Sequence, residues 1–211
     1  MKTIYKLILI SFTALFLGCD PSLVDEPPLG ATENTYFSDV NEFRSQLTGV
    51  YASLYDDYHF AAPSFNFNGW NTSNFLLPGD DLTENSGART DVELFDGSLN
   101  PNNGRTQFSF QTCYKTIGRA NVTIDKVRTI DFSGFEGAEE IARMEGEALF
   151  LRAYSFYKLF NFFGSVPLVV ERINTEEATN TPKSPAIDIL NQVIEDCTNA
   201  IAILPEEWSA G

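Results

Sequence analysis

"GEALFLRAYSFYKLFNFFGSVPLV", residues 146 to 169, decides how this chain must be built. Seven aromatic side chains lie between Phe150 and Phe163, with Glu147, Arg152 and Lys158 threaded through the stretch. Read at helical periodicity, a helix from about Gly137 to Phe163 carries two apolar lanes. One holds Ala142, Gly146, Leu149, Ala153, Phe156, Phe160 and Phe163; the other, nearly opposite, holds Ile141, Met144, Ala148, Leu151, Leu159 and Phe162. A helix apolar on two sides is expected between two layers. Gly164 is a good C-terminal cap, and Pro167 lies just beyond it. Arg152 is expected to form an inter-helix ion pair, with Glu145 one turn away as partner, so the stretch reads as a packing element and not as a ligand site.

Three more helices are expected around it. The first, about Asp39 to Asp57, places Val40, Phe43, Leu47, Val50 and Leu54 at spacings of three and four, with Asp39 and Glu42 set as cap and capping partner. The second, about Gln107 to Thr129, buries Phe110, Cys113, Ile117, Ile124 and Val127, with Gly118 and Ala120 allowing a neighbour close. The last starts at Ser184 with Pro185 at the first helical position, and runs Ile187, Leu190, Ile194, Cys197, Ile201 and Leu204 before Pro205. Its stripe has no following helix to pair with in this sequence, so the 211 residues are expected to be part of a longer protein. No strand is expected. Between the first two helices, residues 58 to 105 lose all periodicity, and aromatics among Asn, Gly and Pro suggest a long, ordered loop insertion.

The charge and the first residues bound the setting. A formal charge of -15, which becomes -17 without the leader's Lys2 and Lys6, argues against nucleic acid as a partner. "MKTIYKLILISFTALFLGC" carries two lysines, an eleven-residue apolar run from Leu7 to Leu17, and Gly18 before Cys19. That run is too short to span a bilayer. Residues 1–18 are expected to be a lipoprotein signal and Cys19 the lipidated anchor, although Phe16 stands where the pattern prefers Leu. Residues 19–38, rich in Pro and acids, read as a tether, and 39–211 as the helical domain. Cys113 and Cys197 lie on apolar stripes, and their pairing stays open, because spacing does not give the distance between them.

Long helices in sequence invite comparison with the tetratricopeptide pattern. Tyr114, Ile117 and Gly118 fill its first part, Ala153 and Tyr157 its second, and Pro167 its last, while Asn121 replaces the expected Tyr. The expected fold is all-α, with degenerate tetratricopeptide-like hairpins. "YKTIGRANVTIDKV" (114 to 127), the opening stretch, "SPAIDILNQVIEDCTNAIAILPEEW" (184 to 208) and "DVNEFRSQLTGVYASLY" (39 to 55) together resemble the SusD/RagB family. The lipoprotein leader and the "PGDDLT" loop (78 to 83) fit it too, while Leu149 stands where many members carry a polar residue. The resemblance implies a nutrient-binding lipoprotein on the outer face of the outer membrane, sitting on a SusC-like TonB-dependent transporter and passing it oligosaccharides or peptides. Family members are considerably longer, so it also implies an N-terminal portion.

For glycan binding, "FNFNGWNTSN" (65 to 74) offers Phe65, Phe67 and Trp70 as stacking faces with Asn71 and its fellow amides for hydroxyls, against the alternative that the rings merely pin the loop. Asp80 and Asp81 join them as candidates. Aligned from Asp81, a standard calcium loop fails, with Ser86 in place of the Gly and Val92 in place of the Glu, which leaves only an irregular oxygen site open in 78 to 91. Adjacent aspartates cannot flank a glycosidic bond, and His59 is the sole histidine, so no catalytic residue, metal or cofactor is expected. The competing reading is a helical-repeat lipoprotein scaffold or transporter lid that binds no glycan.

Overall fold

The computed structural model describes residues 36–58 and 100–207. Among these residues five helices follow in order: α1 Val40–Tyr58, α2 Gly104–Thr129, α3 Ala138–Phe163, α4 Thr175–Asn180 and α5 Ala186–Ile203. Among the described residues there is no strand, only one isolated bridge between Pro167 and Lys183. The fold is all-α, as expected.

The helix ends follow from local chemistry. Asp39 Oδ1 accepts from the backbone N–H groups of Asn41 at 2.7 Å and Glu42 at 3.0 Å. Glu42 reaches back to the N–H of Ser38, at 2.6 Å, and not to that of Asp39, so the expected cap forms with its return arm one residue earlier. Just before it, Phe37 is buried with φ 72° and packs its ring 5.0 Å from that of Phe43. A left-handed aromatic is sterically costly, and here burial of the ring offsets the cost. Helix α3 ends at Gly164, whose φ of 64° and N–H bond to the Phe160 carbonyl close the last turn. Helix α5 begins one residue later than read, because Pro185 is its cap and not its first residue. Short α4 was not expected, yet its signal is in the sequence: Asn174 and Glu177 form a reciprocal capping box.

Helix α3 packs against α5, α2 and α1, and α1 also against α2. Directions follow from the pairs: Arg44–Glu140 and Tyr51–Glu147 advance together, so α1 runs parallel to α3. Gly146 meets Leu204 while Arg152 meets Asp196, so α5 is antiparallel to α3. Both lanes of α3 are covered in their middle parts: Ile141, Leu149, Phe156 and Leu159 are at most 1% exposed. Ala142, read into one lane, is exposed.

The close approach expected at Gly118 and Ala120 is met only in part, for Ala120 is buried. Gly118 is exposed, with nothing within 4 Å of an added Cβ, so α2 does not approach a neighbour there. Gly146 does: a Cβ would lie 2.9 Å from Leu204 Cγ, and this glycine lets α3 and α5 meet. Helix α5 differs again, for in the lane read from its sequence Ile187, Ile194 and Ile201 are exposed, while Leu190, Cys197 and Leu204 are half-buried. It docks through Ile189, Asp196 and Ala200, all buried, with Leu204 beyond its end against Gly146.

Candidate functional site

Helix α2 forms one wall of a groove of about 450 Å³, and the segment after α3, from Pro167 to Ala178, forms the other. That volume lies within the roughly 300–1,000 Å³ of small-molecule sites. Phe110, Tyr114, Ile117, Gly118 and Asn121 line it along α2 because spacings of three and four keep one face of the helix turned to it. Phe110 packs edge-on to Phe163 at 5.5 Å and tilted to Tyr114 at 4.7 Å. These rings also border the core cluster of Cys113, Ile117, Phe156, Leu159, Val166 and Ile189.

Polar side chains hold the second wall in place. Tyr114 donates its hydroxyl to the Pro167 carbonyl at 2.5 Å, and burial, with the neighbouring Cys113, raises its pKa well above the ordinary phenol value. Asn121 donates to the carbonyls of Val169 at 3.1 Å and Glu171 at 2.8 Å. Behind them, Arg152 binds Asp196 through two parallel bonds of 2.8 and 2.7 Å, and gives its remaining nitrogen to Asn121 Oδ1 and the Val170 carbonyl. Gln192 also donates to Asp196 at 3.0 Å. Arg152 and Asp196 are buried, so the pair is desolvated, and the bidentate geometry with extra acceptors is what makes such burial tolerable. The expected partner of Arg152 was wrong: Glu145 binds Arg128 at 2.6 Å. An inter-helix ion pair is present, but Arg152 makes it with a residue 44 positions along the chain.

A second groove, of about 340 Å³, lies between α1 and α3, lined by Arg44, Tyr51, Glu140, Arg143 and Glu147 among others. Arg44 spans both oxygens of Glu140 at 2.8 Å, and Tyr51 donates to Glu147 at 2.6 Å. Arg143 Nε is buried there without an acceptor among the described residues. Lys158 is buried too, and burial lowers its pKa to about 8, while its ammonium sits 5.7 Å from the Tyr154 ring centre.

Cys19, Phe65, Phe67, Trp70, Asn71, Asp80 and Asp81 lie outside the described residues, as does the acidic loop 78 to 91. Cys113 and Cys197 are both free thiols. Burial pushes the Cys113 thiol up to about 12, which makes it a packing residue and not a nucleophile. Among the described residues no group of acids, His or Cys could hold a metal ion, and no helix is long and apolar enough to cross a membrane. The groove along α2 was missed from sequence because its second wall is a segment without periodicity.

A family model described as "Starch-binding associating with outer membrane" matches residues 29–210. The chain belongs to this SusD-like family. A SusD-like protein of Formosa agariphila is 24% identical over 96% of this chain and 38% of its own length. This SusD-like chain therefore spans less than two fifths of that relative. Among solved structures, a SusD-like carbohydrate-binding protein of Bacteroides fragilis is 26% identical, with a TM-score of 0.59 over 78% of this chain and 31% of that one. A laminarin-binding SusD-like protein shares the fold, with a TM-score of 0.63 and 24% identity over 80% of this chain and 35% of that one.

Proposed function

We propose that this chain is the N-terminal part of a cell-surface glycan-binding lipoprotein that serves a SusC-like TonB-dependent transporter. The observation that carries this reading is the family match over 29–210, whose description joins starch binding to the outer membrane. The leader supports it: residues 1–18 direct export and Cys19 takes the acyl chains, since several chains give lasting attachment where one does not. Residues 19–38 then act as a tether and 39–211 as the helical domain. Binding is passive, through ring faces and hydrogen bonds, with no catalytic residue, metal or cofactor. The α2 groove offers that chemistry, and the sequence supplies the same residue types in Phe65, Phe67, Trp70 and Asn71, with Asp80 and Asp81 following.

The test is affinity electrophoresis of the full-length soluble form, starting at Asp20, through gels holding different polysaccharides, with Trp70→Ala alongside. Retardation on one polymer, lost in the variant, establishes glycan binding and places part of the site in 65 to 74. No retardation on any polymer rejects the glycan reading and favours peptide cargo or a lid that touches only protein, for which the open apolar lane of α5 supplies a surface.

A further inference from the structure

We infer that the α2 groove admits neutral glycans and rejects polyanionic ones; this rests on the glycan-binding reading above. Most of the groove's polar atoms are already committed. The Tyr114 hydroxyl is given to Pro167, and the Asn121 amide donates to two carbonyls and accepts from Arg152, so their role is to hold the walls and present apolar ring and aliphatic surface. That surface suits the C–H face of a sugar ring.

Two charged side chains remain in the lining, Glu171 and Arg172. Arg172 is already paired with Asp125, at 3.3 Å, so its charge is partly offset. Asp125 is also approached by Lys126, at 3.9 Å. The Glu171 side chain is exposed and has no hydrogen-bond or ion-pair partner among the described residues, so its carboxylate can accept from hydroxyl groups. A uronate or sulfate in the same place would face that carboxylate, and the guanidinium of the described lining is already partly neutralised by Asp125. Lys183, paired with Pro167 through the backbone, is exposed but is not part of the lining. Repulsion is general as well as local, since the chain carries a formal charge of -15.

The experiment measures binding of the full-length soluble protein to laminarin and amylose as neutral probes, and to alginate and dextran sulfate as anionic probes. Each is run at about 0.01 M and 0.15 M salt, where charges are felt over roughly 30 and 8 Å. The wild type should bind a neutral polymer with little salt dependence, and bind either polyanion at least about tenfold more weakly at low salt. Glu171→Lys should weaken the neutral probe and create salt-sensitive binding of the polyanions. Wild-type binding of alginate or dextran sulfate at low salt as tight as that of the neutral polymers would overturn the inference while leaving glycan binding intact. Neutral binding indifferent to Glu171→Lys removes the groove as the site. Binding of none of the four probes fails the glycan reading itself, and the inference with it.

Discussion

Helices α3 and α5 carry the same kind of pattern and meet different fates. Both have apolar residues on more than one side. On α3, Ile141, Phe156 and Leu159 are fully buried, because α1, α2 and α5 surround it. On α5, Ile187 and Ile194 are 58% exposed and Ile201 is 78% exposed, while the lane that docks on α3 contains a charged residue, Asp196. The more hydrophobic lane of α5 is therefore the open one. Periodicity reports which face needs cover, and a specific long-range contact decides which face receives it. Here the deciding contacts are Arg152 to Asp196 and the fit of Gly146 under Leu204.

The largest effect should come from the contact that selects the α5 lane. Asp196→Ala strands the Arg152 guanidinium in the interior and should cost about 3–5 kcal/mol in urea unfolding followed by circular dichroism. A loss under 1 kcal/mol would mean the pair does not fix the α3–α5 register. Replacing Arg152 and Asp196 together by apolar residues should recover much of the loss, since no charge is then left alone.

The two lanes can be compared directly by the same truncation. Ile189→Ala, in the docked lane, should cost about 2–5 kcal/mol, and Ile194→Ala, in the open one, should stay within about 0.5 kcal/mol. Equal losses would break the comparison, for they would show that Ile194 is covered in solution.

Glycines give a smaller contrast. Gly146→Ala forces a Cβ against Leu204 and should cost about 1–3 kcal/mol. Gly118→Ala, on the open face of α2, should stabilise by roughly 0.5–1 kcal/mol through helix propensity, and a loss there would show an unseen neighbour.

The smallest effect is a pH dependence within α3. Burial lowers the Lys158 pKa to about 8 from an unfolded value near 10.4, so the unfolded chain binds more protons between those limits. Stability from this group is therefore lowest below pH 8 and rises toward pH 10.4. Lys158→Met should exceed the wild type in stability at pH 7, and that advantage should shrink as pH climbs through the window. Contributions from Cys113, Tyr51 and Tyr114, whose pKa values are raised, are common to both proteins and cancel in the difference. A difference constant from pH 7 to 10 would show that Lys158 does not titrate differently on folding.

Much of the fold was legible because its causes are local. The end of α3 at Gly164 needs only a residue that tolerates positive φ, and its two lanes need only a period near 3.6. The start of α1 was read from Asp39 and Glu42, which act within one turn. The Asn174–Glu177 box was equally local and was overlooked in a stretch of exposed polar residues. The site was far less legible: Tyr114 and Pro167 are 53 residues apart, and nothing in either neighbourhood announces the other.

By itself, then, the sequence determined an all-α chain, four of its five described helices and the family to which it belongs, since caps, periodicity and motif are written within a few residues of one another. Only the tertiary structure decided that Arg152 takes Asp196 and leaves Glu145 to Arg128, that Gly146 and not Gly118 is the point of close approach, and that a groove opens between α2 and the segment after α3. Each of these depends on which surfaces meet when distant segments pack, and a buried charge or a missing Cβ acquires its energetic meaning only from the neighbour that arrives.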